Sequence, residues 1–154
     1  MTDYADIISR LQAATEPSRE LDAHILCATL APAGAKVEQS KFNGAWCIYE
    51  PTVYGKEPFR LWEKPHGFRC DHESVTSSID TALRLVERVL PGWTGDIGFG
   101  RVPVSATIAR HRGDLTSGRK NANFSGMRAG KCDLPAISLL IAMFRALQAA
   151  EDRG

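Results

Sequence analysis

Residues 77–110 read SSIDTALRLVERVLPGWTGDIGFGRVPVSATIAR, and this stretch combines a helical pattern with a strand pattern. Over 77–90 the apolar residues recur three and four positions apart, which is the spacing of one buried helix face. Ser77 and Asp80 have nearly the spacing of a capping box, which predicts a cap at Ser77. A proline and a glycine then interrupt the pattern. Over 101–110 apolar residues occupy every second position, as in a β-strand. The stretch therefore predicts a helix followed by strands, and so a fold that mixes both.

Three further helices are predicted on either side of this stretch. The first has one apolar stripe at helical spacing, formed by Tyr4, Ile7, Ile8 and Leu11. The second covers residues 18–30, and Ser18 is its predicted N-cap. The last follows Asp133, also a predicted N-cap, with Pro135 tolerated in the first turn. Its apolar residues extend round much of the helix, so we expect it to be well buried.

The sequence between the second and third helices predicts one β-hairpin. An alternating, aromatic-rich run around Trp46 and Ile48 ends at Pro51. A second alternating run follows at Phe59–Trp62, and we expect the two runs to pair as antiparallel strands across a longer loop. Residues 64–74 are rich in ionisable side chains and are predicted to form an exposed loop.

Glycine and proline residues interrupt the strand patterns after the third helix. Residues 95–100 carry three glycines but precede a strand pattern, whereas a glycine-rich phosphate loop must open a helix. We therefore interpret this segment as a bulged strand or a tight hairpin. Pro103 indicates that the next strand lies at a sheet edge or carries a bulge. Residues 111–131 show no clear period and are predicted to form a long loop.

Together these elements predict an α+β fold. We expect a layered sandwich in which a central, mostly antiparallel β-sheet is covered by about four α-helices. A chain of 154 residues is long enough for one hydrophobic core, so residues 1–154 are expected to form a single domain.

The composition is that of an ordinary globular protein, with 44% hydrophobic residues, 24% charged residues and a net charge of +1. These values exclude a collagen-like rod, a disordered tail and a uniformly cationic DNA coat. No apolar run reaches the roughly 20 residues that a membrane helix needs, and the N-terminus has no signal pattern. The four cysteines are widely spaced, which does not indicate a disulfide framework. We expect a cytoplasmic protein with no membrane partner.

Four sequence blocks occur in a distinctive order, namely Ser18–Ala23, Val75–Leu83, Leu90–Trp93 and Asp133–Ile137. Together they resemble the phage α-β-α sandwich domain family, whose members are small phage and prophage proteins mostly of unknown function. The resemblance covers roughly residues 4–30 and 75–150. It implies the layered fold, a phage origin and hence the cytoplasm of a bacterial host cell. It transfers no catalytic residue.

One segment carries the donor types that zinc prefers. His66, Cys70 and His72 lie within seven residues of each other, and imidazole and thiolate are common zinc ligands. Their spacing fits no standard finger or knuckle, and a fourth ligand would have to come from a distant residue such as His24. An exposed loop explains the same residues. We therefore predict no metal site and no cofactor.

The sequence favours a protein without catalytic activity. It contains no Gly-x-Ser-x-Gly motif, and Cys27 and Cys47 lie within apolar patterns, as small core residues do. Asp22 and Asp80 are placed near the beginnings of helices, where an acid complements the helix dipole and caps free N–H groups. Four cysteines and four histidines can be combined in many ways, so the sequence indicates no particular nucleophile and base.

The most informative feature is a cluster of positive charge between residues 110 and 131. This stretch holds six Lys and Arg residues against one acid, an excess of five positive charges, whereas the rest of the chain carries a net charge of −4. Arginine binds phosphate oxygens bidentately, and an aromatic ring can stack on a base. A solvated, mobile loop is the alternative interpretation. The predicted ligand-binding residues are Arg110, Arg112, Arg119, Lys120, Phe124, Arg128 and Lys131.

Three hypotheses about function follow. In the first, the chain is a small phage-type binding protein that captures a phosphate-bearing, nucleotide-like ligand, for example to sequester a signal of host defence, and dimerisation closes the pocket. In the second, it is a nucleic-acid-associated accessory protein whose basic residues contact backbone phosphates. In the third, it is a protein-interaction or structural module whose loop folds on a partner.

Overall fold

In a computed structural model of the chain, the described residues are 4–52, 55–58, 74–98, 104–112, 123–132 and 134–152. They form four helices and six strands. The helices are α1 (Tyr4–Ala13), α2 (Arg19–Leu30), α3 (Ile79–Val89) and α4 (Pro135–Glu151). The strands are β1 (Lys36–Gln39), β2 (Trp46–Thr52), β3 (Gly55–Pro58), β4 (Trp93–Gly98), β5 (Val104–Arg112) and β6 (Asn123–Cys132).

The described strands form two antiparallel sheets of three strands each, in the orders β1-β2-β3 and β4-β5-β6. The predicted α+β class is therefore confirmed. The prediction of one central sheet differs from this arrangement, because the strands before α3 and those after it pair only among themselves within the described part of the chain.

The first sheet differs from the sequence prediction in its strand boundaries. β1 was not predicted, since its four residues are too few to show a period. β2 continues through Pro51, which pairs with Lys56 of β3. The ladder with β1 ends at Tyr49, so no described strand needs an N–H from Pro51 on that side. β3 follows after only two residues, and the expected partner strand Phe59–Trp62 lies outside the described residues.

The prediction of a loop over 111–131 is wrong at both of its ends. β5 continues to Arg112, and β6 occupies residues 123–132. The sequence of β6, NFSGMRAGKC, has few branched or aromatic residues, so pairing with β5 and contact with α4 hold it as a strand. β5 is the central strand of its sheet, which excludes an edge position; Pro103 itself lies outside the described residues.

The helix beginnings follow simple capping chemistry. The hydroxyl of Ser18 accepts a hydrogen bond from Leu21 N, which confirms Ser18 as the N-cap of α2. α3 begins two residues later than predicted, because Ser78 is its N-cap and accepts from Thr81 N. The N-cap of α4 is Leu134, which has no side-chain capping bond, and Asp133 is outside the described residues.

The hydrophobic core is built around α4. This helix contacts all three strands of the second sheet on one side and α1 and α3 on others, so its apolar residues are covered in every direction. α2 packs against α1 and against β1 and β2, which attaches the first sheet to the helices. The predicted burial of α4 is confirmed for ten of its residues, which are Ala136, Ile137, Ser138, Leu139, Leu140, Ile141, Ala142, Met143, Phe144 and Ala146.

Candidate functional site

The β5–β6 ladder places three of the seven predicted ligand-binding residues at one end of the second sheet. Arg110 pairs with Ser125, His111 with Phe124, and Arg112 with Asn123. These are the last positions of β5 and the first of β6, on either side of the connecting segment. We call Arg110, Arg112 and Phe124 the basic hairpin end. By the register, the two arginines belong to one face of the ladder and Phe124, opposite His111, belongs to the other. Arg119 and Lys120 belong to the connecting segment 113–122 and lie outside the described residues.

The same ladder separates the remaining two residues from the basic hairpin end. Arg128 stands opposite Ile108, four positions along β5 from Arg112. Lys131 stands opposite Ser105, seven positions from Arg112. At about 3.3 Å per residue, seven positions correspond to roughly 23 Å along the strand. A single phosphate group is much smaller than this span, so the structure does not bring Lys131 together with Arg112.

A β-bulge lies within this ladder, next to the basic hairpin end. The register shifts between Ile108 and Arg110: β5 advances by two residues while β6 runs from Arg128 to Ser125, which is three. β6 therefore contains one extra residue at this point. Bulges bend a strand, increase its twist and change the direction in which neighbouring side chains point, and they are common beside binding sites.

A second candidate site is a cavity of about 830 Å³ formed by α1, α2, β1 and the end of α4. We call it the helix cavity. Its apolar lining includes the side chains of Ile7, Cys27, Ala28 and Val37. The charged residues that line it are the exposed Asp6, Lys36 and Glu151 and the half-buried His24. Cavities of this size hold small organic ligands or a protein side chain.

Two groups of the helix cavity, His24 and Cys27, have pKa values shifted toward the neutral form. Burial lowers the pKa of His24 below its ordinary value of 6.5, and the nearby Arg10 lowers it further, against the opposing effects of Glu20 and Asp6. Arg10 is itself paired with Glu20, at 2.8 Å between Nη2 and Oε1. Burial also raises the pKa of the Cys27 thiol, which disfavours the reactive thiolate. The cavity therefore suits binding rather than nucleophilic chemistry.

Asp22 has a structural role that differs from the predicted dipole interaction. Its side chain is only 1% exposed, and Oδ1 accepts hydrogen bonds from both the backbone N and the Oγ1 of Thr76, each at 2.8 Å. Thr76 Oγ1 in turn accepts from Ser18 N at 3.1 Å. The carboxyl group thus joins the beginning of α2 to the turn before α3. The spacing from Asp22 to Ile25 and Leu26 places it on the buried face, which is the signal the sequence interpretation overlooked.

The other sequence candidates receive no structural support as sites. His66, Cys70 and His72 lie outside the described residues. Among the described residues, no group of three or more His, Cys, Asp or Glu side chains is arranged to hold a metal ion. Cys27 and Cys47 are free and half-buried. Within the described helices, none has both the length and the apolar content needed to cross a bilayer.

Comparisons of this chain with protein-family models, with curated proteins and with solved structures find no match.

Proposed function

We propose that the chain is a non-enzymatic binding protein that holds a phosphate-bearing, nucleotide-like ligand at the basic hairpin end. The observation that carries this proposal is the β5–β6 register, which puts Arg110 and Arg112 two positions apart on one strand and therefore on the same face of the ladder. Two guanidinium groups on one face supply bidentate donors for phosphate oxygens. Phe124 pairs with His111 and so belongs to the other face of the ladder, which separates it from a ligand held by the two arginines.

The charge distribution supports the same proposal. The connecting segment 113–122 adds Arg119 and Lys120 against Asp114, so the positive charge of the sequence continues beyond the end of β5. The chain as a whole carries a net charge of only +1, and a general attraction to polyanions is therefore weak. A local positive cluster on a nearly neutral molecule favours one small anionic ligand over a long nucleic-acid track.

The resemblance to phage α-β-α sandwich proteins supports a biological setting for this activity. A phage protein in the cytoplasm of a bacterial host that binds a nucleotide tightly and does not transform it would lower the free concentration of that nucleotide. We therefore propose sequestration of a nucleotide signal of host defence as the role.

The experiment is a calorimetric titration of the chain with three probes: ATP, cyclic di-AMP and a single-stranded oligonucleotide of about 20 nucleotides. Each titration is carried out at about 50 and about 200 mM salt. Binding to the polymer through four phosphate contacts should weaken by about 50-fold over this range, because counterions are released. A mononucleotide or dinucleotide site should weaken much less. Strong binding of the oligonucleotide alone would establish the nucleic-acid hypothesis instead, and binding of none of the three probes would refute the proposal.

Substitutions within the ladder test the position of the site. Arg112→Ala should weaken nucleotide binding by about 10-fold or more, since a charge-assisted hydrogen bond is lost. Lys131→Ala removes the same charge about 23 Å away and should change the affinity less than about twofold. Equal losses in the two variants would show that only the net charge matters. A double variant in which Arg110 and Arg112 are both replaced by alanine has a matched control. The control is Arg84→Ala combined with Arg88→Ala, which removes two arginines from the exposed side of α3.

A further inference from the structure

The turn between β1 and β2 presents an apolar side chain to solvent on a rigid support. Phe42 is 100% exposed, and it is the one large hydrophobic side chain with that status among the described residues. Ser40 N donates to Ala45 O at 2.7 Å, Gly44 N donates to Ser40 O at 2.9 Å, and Phe42 N donates to Ser40 Oγ at 3.3 Å. Gly44 has a φ of +69°, which closes the turn without strain.

An exposed aromatic side chain on an ordered turn has the properties of a binding anchor. Because the turn is already ordered by its own hydrogen bonds, little conformational entropy is lost when a partner covers it. Aromatic anchors contribute most when they fill an apolar pocket on the partner and are surrounded by complementary charge. Lys41, directly before Phe42, makes the anchor positively charged at its base.

The helix cavity has the complementary properties. It offers about 830 Å³ and a mixed lining in which Ile7, Ala28 and Val37 are the apolar part. Its exposed charges are two acids, Asp6 and Glu151, against one lysine, Lys36. A benzyl group fits within this volume, and a lysine ammonium beside it would meet the two carboxylates. Phe42 lies at the tip of the hairpin that begins at β1, whereas the cavity lies at the base of β1, so the two features are at opposite ends of one strand.

The outer edge of β1 relates these two features by symmetry. β1 pairs with β2 alone among the described strands, so within the described part of the chain no strand covers its other edge. Antiparallel pairing of two β1 edges about a two-fold axis through Val37 sets Lys36 opposite Glu38 of the second copy, an attractive cross-strand pair. Five residues beyond Val37 is Phe42, and five residues before it is Pro32, which lines the helix cavity.

The geometry points to a homodimer in which Phe42 of each copy occupies the helix cavity of the other. Each copy donates one anchor and one cavity, as a closed two-fold interface requires. The β1 edges are only four residues long, so the two Phe42 contacts supply much of the stability of the dimer. This inference uses the first sheet and does not depend on ligand binding at the basic hairpin end.

Sedimentation equilibrium of the full chain under reducing conditions tests the dimer. The wild-type chain should be dimeric, and Phe42→Ser should raise the dimer dissociation constant at least about 100-fold, because the dimer no longer gains the burial of two aromatic side chains. Since Phe42 is fully exposed, its replacement should leave the circular dichroism spectrum and the melting temperature of the monomer unchanged. A monomeric wild-type chain at about 100 μM, or a dimer unaffected by Phe42→Ser, overturns the inference.

A complementation experiment tests the specific pairing of Phe42 with the cavity. Ala28→Trp fills the cavity and should weaken the dimer as Phe42→Ser does. Mixed together, the two variants should associate more tightly than either alone, since the Ala28→Trp chain retains its anchor and the Phe42→Ser chain retains its cavity. A mixture no tighter than its components refutes the pairing. If Ala28→Trp lowers the melting temperature, the Glu151→Lys variant is used in its place. Glu151 is an exposed residue of the cavity, so this change should repel Lys41 of the other copy.

Discussion

Asp22 is an acid whose position in a helix first suggests a dipole effect but whose contacts show a different role. It is buried and accepts two hydrogen bonds from Thr76, a residue 54 positions away in the chain. Arg19 Nη1 lies 3.9 Å from the other carboxyl oxygen, Oδ2, and no hydrogen-bond donor among the described residues reaches that oxygen. Sequence spacing can place an acid on a buried face, but it cannot identify a partner so distant along the chain.

Replacing Asp22 should therefore destabilise the whole fold. We expect Asp22→Ala to lower the free energy of unfolding by about 3 kcal/mol, because the buried N–H and O–H of Thr76 lose their acceptor. Asp22→Asn retains an acceptor oxygen and should cost clearly less. Urea denaturation measures both, with Asp80→Ala on the exposed first turn of α3 as a control that should cost less than about 1 kcal/mol. Equal losses for Asp22→Ala and Asp80→Ala would contradict the network.

His24 should give the fold a measurable pH dependence. Burial and Arg10 lower its pKa in the folded chain below the ordinary value of 6.5, so the unfolded chain binds the proton more tightly. The contribution of His24 to stability is then complete above about pH 6.5, decreases as the pH falls from there to the folded pKa, and is constant below it. His24→Gln should remove this part of the pH dependence. Urea denaturation of variant and wild type at several pH values between 5 and 7 gives the free energies of unfolding to be compared.

An NMR titration of the His24 ring checks the cause directly. Its pKa should lie below 6.5 in the wild-type chain and should rise in Arg10→Gln, because that change removes a cation and releases Glu20 from its ion pair. A wild-type value at or above 6.5 would mean that burial does not dominate at this site.

The beginning of α3 shows how closely capping chemistry can be derived from sequence. The spacing of Ser77 and Asp80 predicted a cap at Ser77, but the structure has Ser78 in the extended conformation that an N-cap requires, with its hydroxyl bonded to Thr81 N. Adjacent serines offer the same side chain at either position. Only the backbone conformation, which depends on how the preceding turn is bound by Asp22, decides between them.

The two serines make a matched pair for measurement. Ser78→Ala should lower the free energy of unfolding by about 1 kcal/mol through loss of the cap. Ser77→Ala, at an exposed neighbouring position, should change it by less than about 0.5 kcal/mol. Thermal or urea denaturation of the two single variants gives the comparison, and a larger loss at Ser77 would place the cap where the sequence first predicted it.

The strands were predicted less well than the helices, for a reason visible in β6. Helices α1 to α4 carry their own apolar period and breakers, so their positions follow from local sequence. β6 contains Gly126, Ala129 and Gly130 where a strand would usually carry branched residues, and it lies opposite β5 and against α4. Its conformation is set by those neighbours. The charge that marked this segment as a candidate site remains, but on the ordered backbone of a hairpin.

The division of the strands into two sheets could not be derived from sequence at all. Alternating patterns show that strands exist, but which strands pair depends on how α2 and α4 cover them. The candidate sites follow the same division. The basic hairpin end was indicated by charge, which is a property of the sequence, whereas the helix cavity brings together α1, α2, β1 and the end of α4 and becomes visible only in the folded chain.

Because the two candidate sites lie on different sheets, their activities should be separable. The β1 edge, Phe42 and the helix cavity belong to the first sheet and its helices, whereas the basic hairpin end belongs to the second. We expect Phe42→Ser to change nucleotide affinity by less than about twofold, as for independent sites, although it separates the dimer. Conversely, Arg112→Ala should leave the dimer dissociation constant unchanged. Titration calorimetry and sedimentation of both variants give the four values, and loss of nucleotide binding on dissociation would show that the ligand pocket is shared between two copies of the chain.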